Sequence, residues 1–191
     1  MTRIIAGSVG GRRLLVPPSG TRPTSERVRE ALFSSLAAEP GLIDLAVLDL
    51  CAGSGALGIE ALSRGAGHAL FVESDRRAAT ALSRNLTALG MTTVGVLKVA
   101  PAASVLGAPA DRAYDLVLAD PPYEVEDAEV AGWLERAESN GWLAEDVTVV
   151  VERRRDRRKR GFEWPAPLTA LRERRYGDTV LHVGVRYGPG S

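Results

Sequence analysis

Residues 47–66 read VLDLCAGSGALGIEALSRGA, and this stretch decides the fold. A short apolar run ends at Asp49, a turn with Gly53, Gly55 and Gly58 follows, and a helical pattern stops near Gly65. Glycines in a strand-to-helix turn let the backbone approach a ligand closely and turn its N–H groups toward it. Their spacing also fits G-x-G-x-x-G, a pattern that by itself also serves simple packing. Working outward, HALFVESD (68–75) is a second buried strand, and RRAATALSRNLTALG (76–90) a helix with Ala78, Leu82, Leu86 and Leu89 on its inner face. VGVLKV (94–99) is a third strand, YDLVLAD (114–120) a fourth and VTVVVER (147–153) a fifth. DAEVAGWLERAESNG (127–141) forms a helix before the fifth. Continuous apolar strands alternating with helices predict a mainly parallel sheet covered on both faces. The chain then closes with LTALRERRY and TVLHVGVRY around Gly177–Asp178, an antiparallel hairpin. The expected fold is therefore α/β and Rossmann-like, a mostly parallel seven-stranded sheet ending in an antiparallel hairpin.

Ahead of this domain, taken as residues 23–191, lies a basic extension of residues 1–22 in which VGG offers a small hairpin turn. RPTSERVREALFSSL (22–36) is the first helix of the domain, with Thr24 or Ser25 as its cap and Val28, Ala31, Leu32, Ser35 and Leu36 on one face. The chain has 191 residues, 45% of them hydrophobic, enough for one large core. No apolar run has the length of a membrane span. The start lacks the pattern of a secretory signal, so a cytoplasmic location is expected. One cysteine, Cys51, excludes an internal disulfide and any multi-cysteine metal site, and two distant histidines leave no metal expected.

Net charge is zero but segregated. Residues 1–36 carry six arginines against two glutamates (+4) and residues 37–152 carry seven bases against eighteen acids (−11). Residues 153–191 carry eleven bases against four acids (+7). An acidic body between two basic ends suits a nucleic-acid binder with a small-molecule pocket. An unevenly charged surface would give the same count.

Two features specify the small molecule. Glu73 follows the glycine turn by about twenty residues, where an acid accepts hydrogen bonds from the hydroxyls of a ribose. Asp49 sits against the turn, where it would repel a pyrophosphate but welcome the ammonium of a methionyl tail. The second feature is DPPY, Asp120 to Tyr123, at the end of the fourth strand. Two prolines make a rigid elbow, and the motif resembles the signature of amino-methyltransferases. S-adenosylmethionine is then the expected cofactor. An exocyclic amine is a poor nucleophile because its lone pair is delocalised into the base. Asp120 and a carbonyl of Pro121 or Pro122 can each accept one N–H and turn that lone pair toward a methyl donor, while Tyr123 stacks on the base. Such a base must leave its stack. Cys51, on the glycine turn, reads as a packing residue rather than a thiolate nucleophile.

RIIAGSVGGRRL, RPTSERVREALFSSL, VLDLCAGSGALGIEALSRGA, LVLADPPY and RRYGDTVLHV together resemble the RsmD family, bacterial 16S rRNA guanine-N2 methyltransferases, over nearly the whole chain. The resemblance implies a class I methyltransferase domain with a small N-terminal extension. It also implies methylation of a guanine of 16S rRNA in a largely assembled small ribosomal subunit; a monomer is expected. Carried over by position, it makes Asp120, Pro121, Pro122 and Tyr123 the catalytic loop. Asp49, Gly53, Gly55, Glu73 and Ser74 line the cofactor, and Thr24, Ser25 and Arg27 approach its methionyl end. The basic ends offer phosphate contacts, Arg3, Arg12, Arg13 and Arg22 from one side and Arg154 and Arg157 of the run 153–160 from the other, although that run reads equally well as a solvated loop after the fifth strand. One departure stands out: Ala100, in KVAPAAS, occupies the position where related enzymes place an acid for the adenine, leaving Ser104 or a backbone carbonyl as substitutes. DPPY also serves DNA amino-methyltransferases acting on adenine N6 or cytosine N4, and a non-catalytic RNA-binding factor could keep the same fold. Both remain open at the level of sequence.

Overall fold

The central apolar strands assemble into one sheet because they are buried on both faces, while the two edge strands, 95–99 and 169–176, stay largely exposed. The computed structural model describes residues 2–17, 25–38, 41–156, 158 and 161–188. Thr24, Arg22 and Arg157 lie outside the described residues. Five parallel strands, β3 (Ala46–Leu50), β4 (His68–Glu73), β5 (Gly95–Val99), β6 (Tyr114–Ala119) and β7 (Leu143–Arg154), are joined by β8 (Thr169–Tyr176) and β9 (Thr179–Val185). Their order is β5-β4-β3-β6-β7-β9-β8, with β9 antiparallel to both neighbours. This is the expected seven-stranded sheet with its closing hairpin. The helices are α1 (Glu26–Ala38), α2 (Ala56–Ser63), α3 (Arg76–Ala88), α4 (Ala102–Leu106) and α5 (Asp127–Ser139). One core packs α1, α2 and α3 on one face through Phe33, Ile59 and Leu82. The other packs α4 and α5 on the opposite face through Leu106, Leu134 and Trp142.

The chain reverses direction across the sheet between β3 and β6. From β3 it winds outward through β4 to β5, then returns to pair β6 with β3, Asp49 opposite Leu118 and Leu50 opposite Ala119. In sheets of this kind ligands sit outside the strand C-termini at such a reversal. Asp49, Glu73 and Asp120 all lie at this edge.

The N-terminal hairpin forms as VGG suggests: β1 (Thr2–Arg3) pairs antiparallel with β2 (Arg13–Leu14). What seats it is a buried acid on α2. Glu60 is fully buried, and its carboxylate accepts the N–H groups of Ile5 (2.8 Å) and Ala6 (3.1 Å) and the Arg64 guanidinium (2.7 Å). Beside it, Arg29 of α1 is also fully buried and donates to the carbonyl of Arg3 (2.6 Å). Ile4 and Leu14 then enter the core. The inner face of α1 includes Arg29 and Phe33 in addition to Val28, Leu32 and Leu36. Ala31 and Ser35, expected on that face, are only partly buried at its flank.

Replacing Glu60 by Ala strands two backbone donors and a cation, so unfolding free energy should fall by about 3 kcal/mol. Amide exchange at Ile5 and Ala6 should accelerate more than at β3 or β6. Unchanged protection at those two amides would refute the role assigned to Glu60.

Candidate active site

The glycine turn is held by the protein's own carboxylates. The Gly53 N–H donates to Glu73 Oε2 (2.7 Å), and the Gly58 N–H to Asp49 Oδ2 (2.9 Å). The other Glu73 oxygen accepts the Asp75 N–H (2.7 Å), so one side chain joins the β3–α2 and β4–α3 turns. Asp75 in turn caps α3 by accepting the N–H groups of Arg77 and Ala78. Gly55 is required sterically: its φ is +83°, and a Cβ would sit 2.2 Å from the Leu82 side chain. Gly53, at φ +57°, instead faces open space.

That space is a cavity lined by Asp49, Gly53, Ser54, Leu57, Asp120 and the arm residues Val16 and Pro17. The arm is fixed over it by Asn85 of α3, a buried side chain absent from the sequence-derived site. Its Oδ1 accepts the Leu15 N–H (2.8 Å), and its Nδ2 donates to the carbonyls of Leu15 (3.0 Å) and Ser54 (2.9 Å). The amphipathic pattern of α3 placed Leu82 and Leu86 correctly but gives no sign that the polar residue between them faces inward.

Among the described residues the cavity is lined by acids and by no basic side chain. Burial, with Asp120 and Glu73 nearby, pushes the Asp49 carboxyl up to about 8, even though the Gly58 hydrogen bond opposes the shift. Burial and the same three acids push the Cys51 thiol up to about 12, which keeps it from acting as a nucleophile at neutral pH. Among the described residues no cluster of His, Cys, Asp and Glu could hold a metal ion. A site short of positive charge, with the Gly53 and Gly58 N–H groups already bonded to carboxyl oxygens, suits a cationic ligand better than a pyrophosphate.

Of DPPY, Asp120 lines the cavity. The Asp120 N–H reaches the Leu50 carbonyl at 3.4 Å, anchoring the loop beside β3. Pro121 is buried, whereas Tyr123 is 43% exposed. The Val125 N–H donates to the Pro122 carbonyl (3.0 Å), closing the elbow into a turn.

The other sequence-derived residues are more dispersed. Ser25 accepts the Val28 N–H (3.3 Å) as the α1 cap, Arg27 and Ser74 are exposed, and none of the three lines the cavity. Ala100 donates its N–H to the Glu73 carbonyl (3.0 Å), and Ser104 is exposed on α4. Arg3 pairs with Glu26 (3.1 Å), Arg12 donates to the Ala88 carbonyl (3.2 Å), and Arg13 and Arg154 are exposed.

Fold and site together define a class I methyltransferase. Magnesium protoporphyrin IX methyltransferase of Synechocystis has the same fold at a TM-score of 0.63 and 14% identity, over 84% of this chain and 78% of that one. Within the class, residues 2–185 match the family described as Conserved hypothetical protein 95. Ribosomal RNA small subunit methyltransferase D of Escherichia coli K12 is 43% identical over 155 residues, 78% of this chain and 73% of the relative. The solved structure of the E. coli protein yhhF superposes at a TM-score of 0.86 with 36% identity, over 98% of this chain and 99% of that one. The chain belongs to this family, the RsmD family.

Because Asp49 holds its proton to higher pH when folded than when unfolded, charging it disfavours the fold. Its contribution to stability should be full below about pH 4 and decline as pH rises toward 8. Asp49→Asn should flatten that part of the stability–pH curve measured by denaturant unfolding, and an unaltered curve would show that another group is responsible. Cys51→Ser should keep methyl-transfer activity within about twofold, since the thiol has no chemical role.

Proposed function

We propose that this protein transfers a methyl group from S-adenosylmethionine to the exocyclic N2 amine of a guanine in 16S rRNA of the small ribosomal subunit. The observation that carries the reading is the convergence of Asp49, Glu73 and Asp120 on a glycine turn whose N–H groups already meet carboxylates. The rRNA substrate is supported by the name of the E. coli relative and by the basic ends of the chain.

Asp49 and the open face of Gly53 would hold the methionyl end, and Glu73 would accept the ribose hydroxyls on oxygens that also fix the turn. Gly55 keeps α2 close beneath them. When bound, the cofactor supplies an electrophilic methyl carbon on a sulfonium. The work of this chain's residues is to aim the acceptor. Asp120 accepts one N–H of the amine, and the Pro121 carbonyl accepts the other, because the Pro122 carbonyl already meets Val125. The nitrogen lone pair is thereby directed across the cavity, and Asp120 is the first acceptor for the proton that leaves. Tyr123, partly exposed, stacks on a base drawn out of its helix. Arg13 and Arg154 are exposed for phosphate contact. The surface pair of Arg3 with Glu26 is worth at most about 1 kcal/mol and can yield to a phosphate.

Mass mapping of small-subunit rRNA should show one N2-methylguanosine that disappears when the gene is deleted and returns with the wild-type protein. Asp120→Ala should lower kcat by about 10²–10³ while leaving cofactor binding intact. Methylation confined to DNA, or an Asp120→Ala variant of wild-type rate, would overturn the assignment.

A further inference from the structure

Residues of β7, β8 and β9 and of the segment after β7 surround a second cavity, of about 180 Å³, of whose lining the steps above use Arg154 alone. Its bases are Arg153, Arg154, Arg155, Arg175 and His182. Three acids, Asp127, Asp156 and Glu173, also line it. Arg175 pairs with Glu173 (2.7 Å), whose second oxygen lies 3.3 Å from His182 Nδ1. Burial holds His182 below its usual proton affinity, so four guanidiniums face three carboxylates and one positive charge is in excess.

Arg153 shows how that excess is placed. Its side chain is only 8% exposed. Nε donates to Asp127 (2.7 Å), Nη2 donates to the Val125 carbonyl, and Nη1 is buried with no hydrogen-bond partner among the described residues. A buried cationic donor left unmatched costs more than a neutral one, and such groups call for a missing ion or ligand. A guanidinium beside other guanidiniums selects an oxyanion, and phosphate in particular.

The cavity also adjoins the catalytic loop. Val125, held by Arg153, is two residues beyond Tyr123, and the Arg154 guanidinium lies 6.0 Å from the centre of the Tyr123 ring. We propose that this cavity binds one backbone phosphate of the RNA strand, next to the guanine stacked on Tyr123, and so sets which base enters the loop. The proposal rests on the RNA reading above. A single excess charge matches a phosphodiester monoanion. Phosphate contacts of this kind fix register, while the loop recognises the base.

Arg155 and Arg175 are exposed, so Arg155→Gln and Arg175→Gln, combined, should leave the fold intact. With an rRNA fragment containing the target guanine, the double variant should raise KM roughly tenfold and keep kcat within about twofold. The slope of log binding constant against log salt should become shallower by about 0.7 for each phosphate no longer neutralised. Fragments carrying one neutral methylphosphonate linkage each should reveal one position near the guanine at which the wild type weakens and the variant does not. An unchanged KM and salt slope, or identical linkage profiles for both proteins, would overturn the proposal while methylation by the wild type stands. Absence of any transfer to RNA by the wild type would overturn both.

Discussion

Two carboxylate–amide contacts organise this molecule: Glu73 on the Gly53 N–H and Asp49 on the Gly58 N–H. Glu73 fixes the end of β4 to the turn that follows β3, Asp49 fixes the end of β3 to the first turn of α2, and both acids are buried. Such hydrogen bonds help to hold a turn with three residues in left-handed conformations, Cys51, Gly53 and Gly55. Their chemical effect is larger than their mechanical one. In dinucleotide folds the equivalent amides meet a pyrophosphate. Here they are occupied by carboxylates, and with Asp120 close by the cavity becomes a place where added negative charge is repelled and a sulfonium or ammonium is attracted.

The acceptor side follows from the same edge of the sheet. Asp120 enters the cavity because β6 pairs with β3 in a register that sets Ala119 beside Leu50. The prolines stop the strand there, and the turn closed by Pro122 and Val125 leads directly to Arg153. A base on Tyr123 would thus lie between the acids of the cofactor cavity and the arginines at the end of β7. Such an arrangement would set acid toward the cofactor and base toward the nucleic acid, in keeping with the segregated charge along the chain.

Much of this was legible in the sequence because it depends on local pattern. Five apolar strands, the closing hairpin, the glycine turn and DPPY each carry their signal within a dozen or so residues, and α1 and α3 show the helical period. The five-residue α4 was missed, being too short for any periodicity to appear. Glu60, Arg29 and Asn85 were also missed as structural residues, since a polar residue on a helix reads as exposed until its distant partners are known. Glu60 and Asn85 bind backbone more than fifty residues away. Val16 and Pro17 were assigned to a basic arm, yet the hairpin brings them onto the cavity. Ser25, Arg27 and Ser74 came from positional resemblance, and the geometry sets them outside the cavity lining.

The preference of the glycine turn for a cation over a phosphate is tested most directly by calorimetric titration of the protein with S-adenosylmethionine and, separately, with NAD. Carboxylates on the Gly53 and Gly58 amides require measurable binding of the sulfonium compound and none of the dinucleotide at millimolar concentration. Saturable binding of NAD at this cavity, tighter than that of S-adenosylmethionine, would contradict the account.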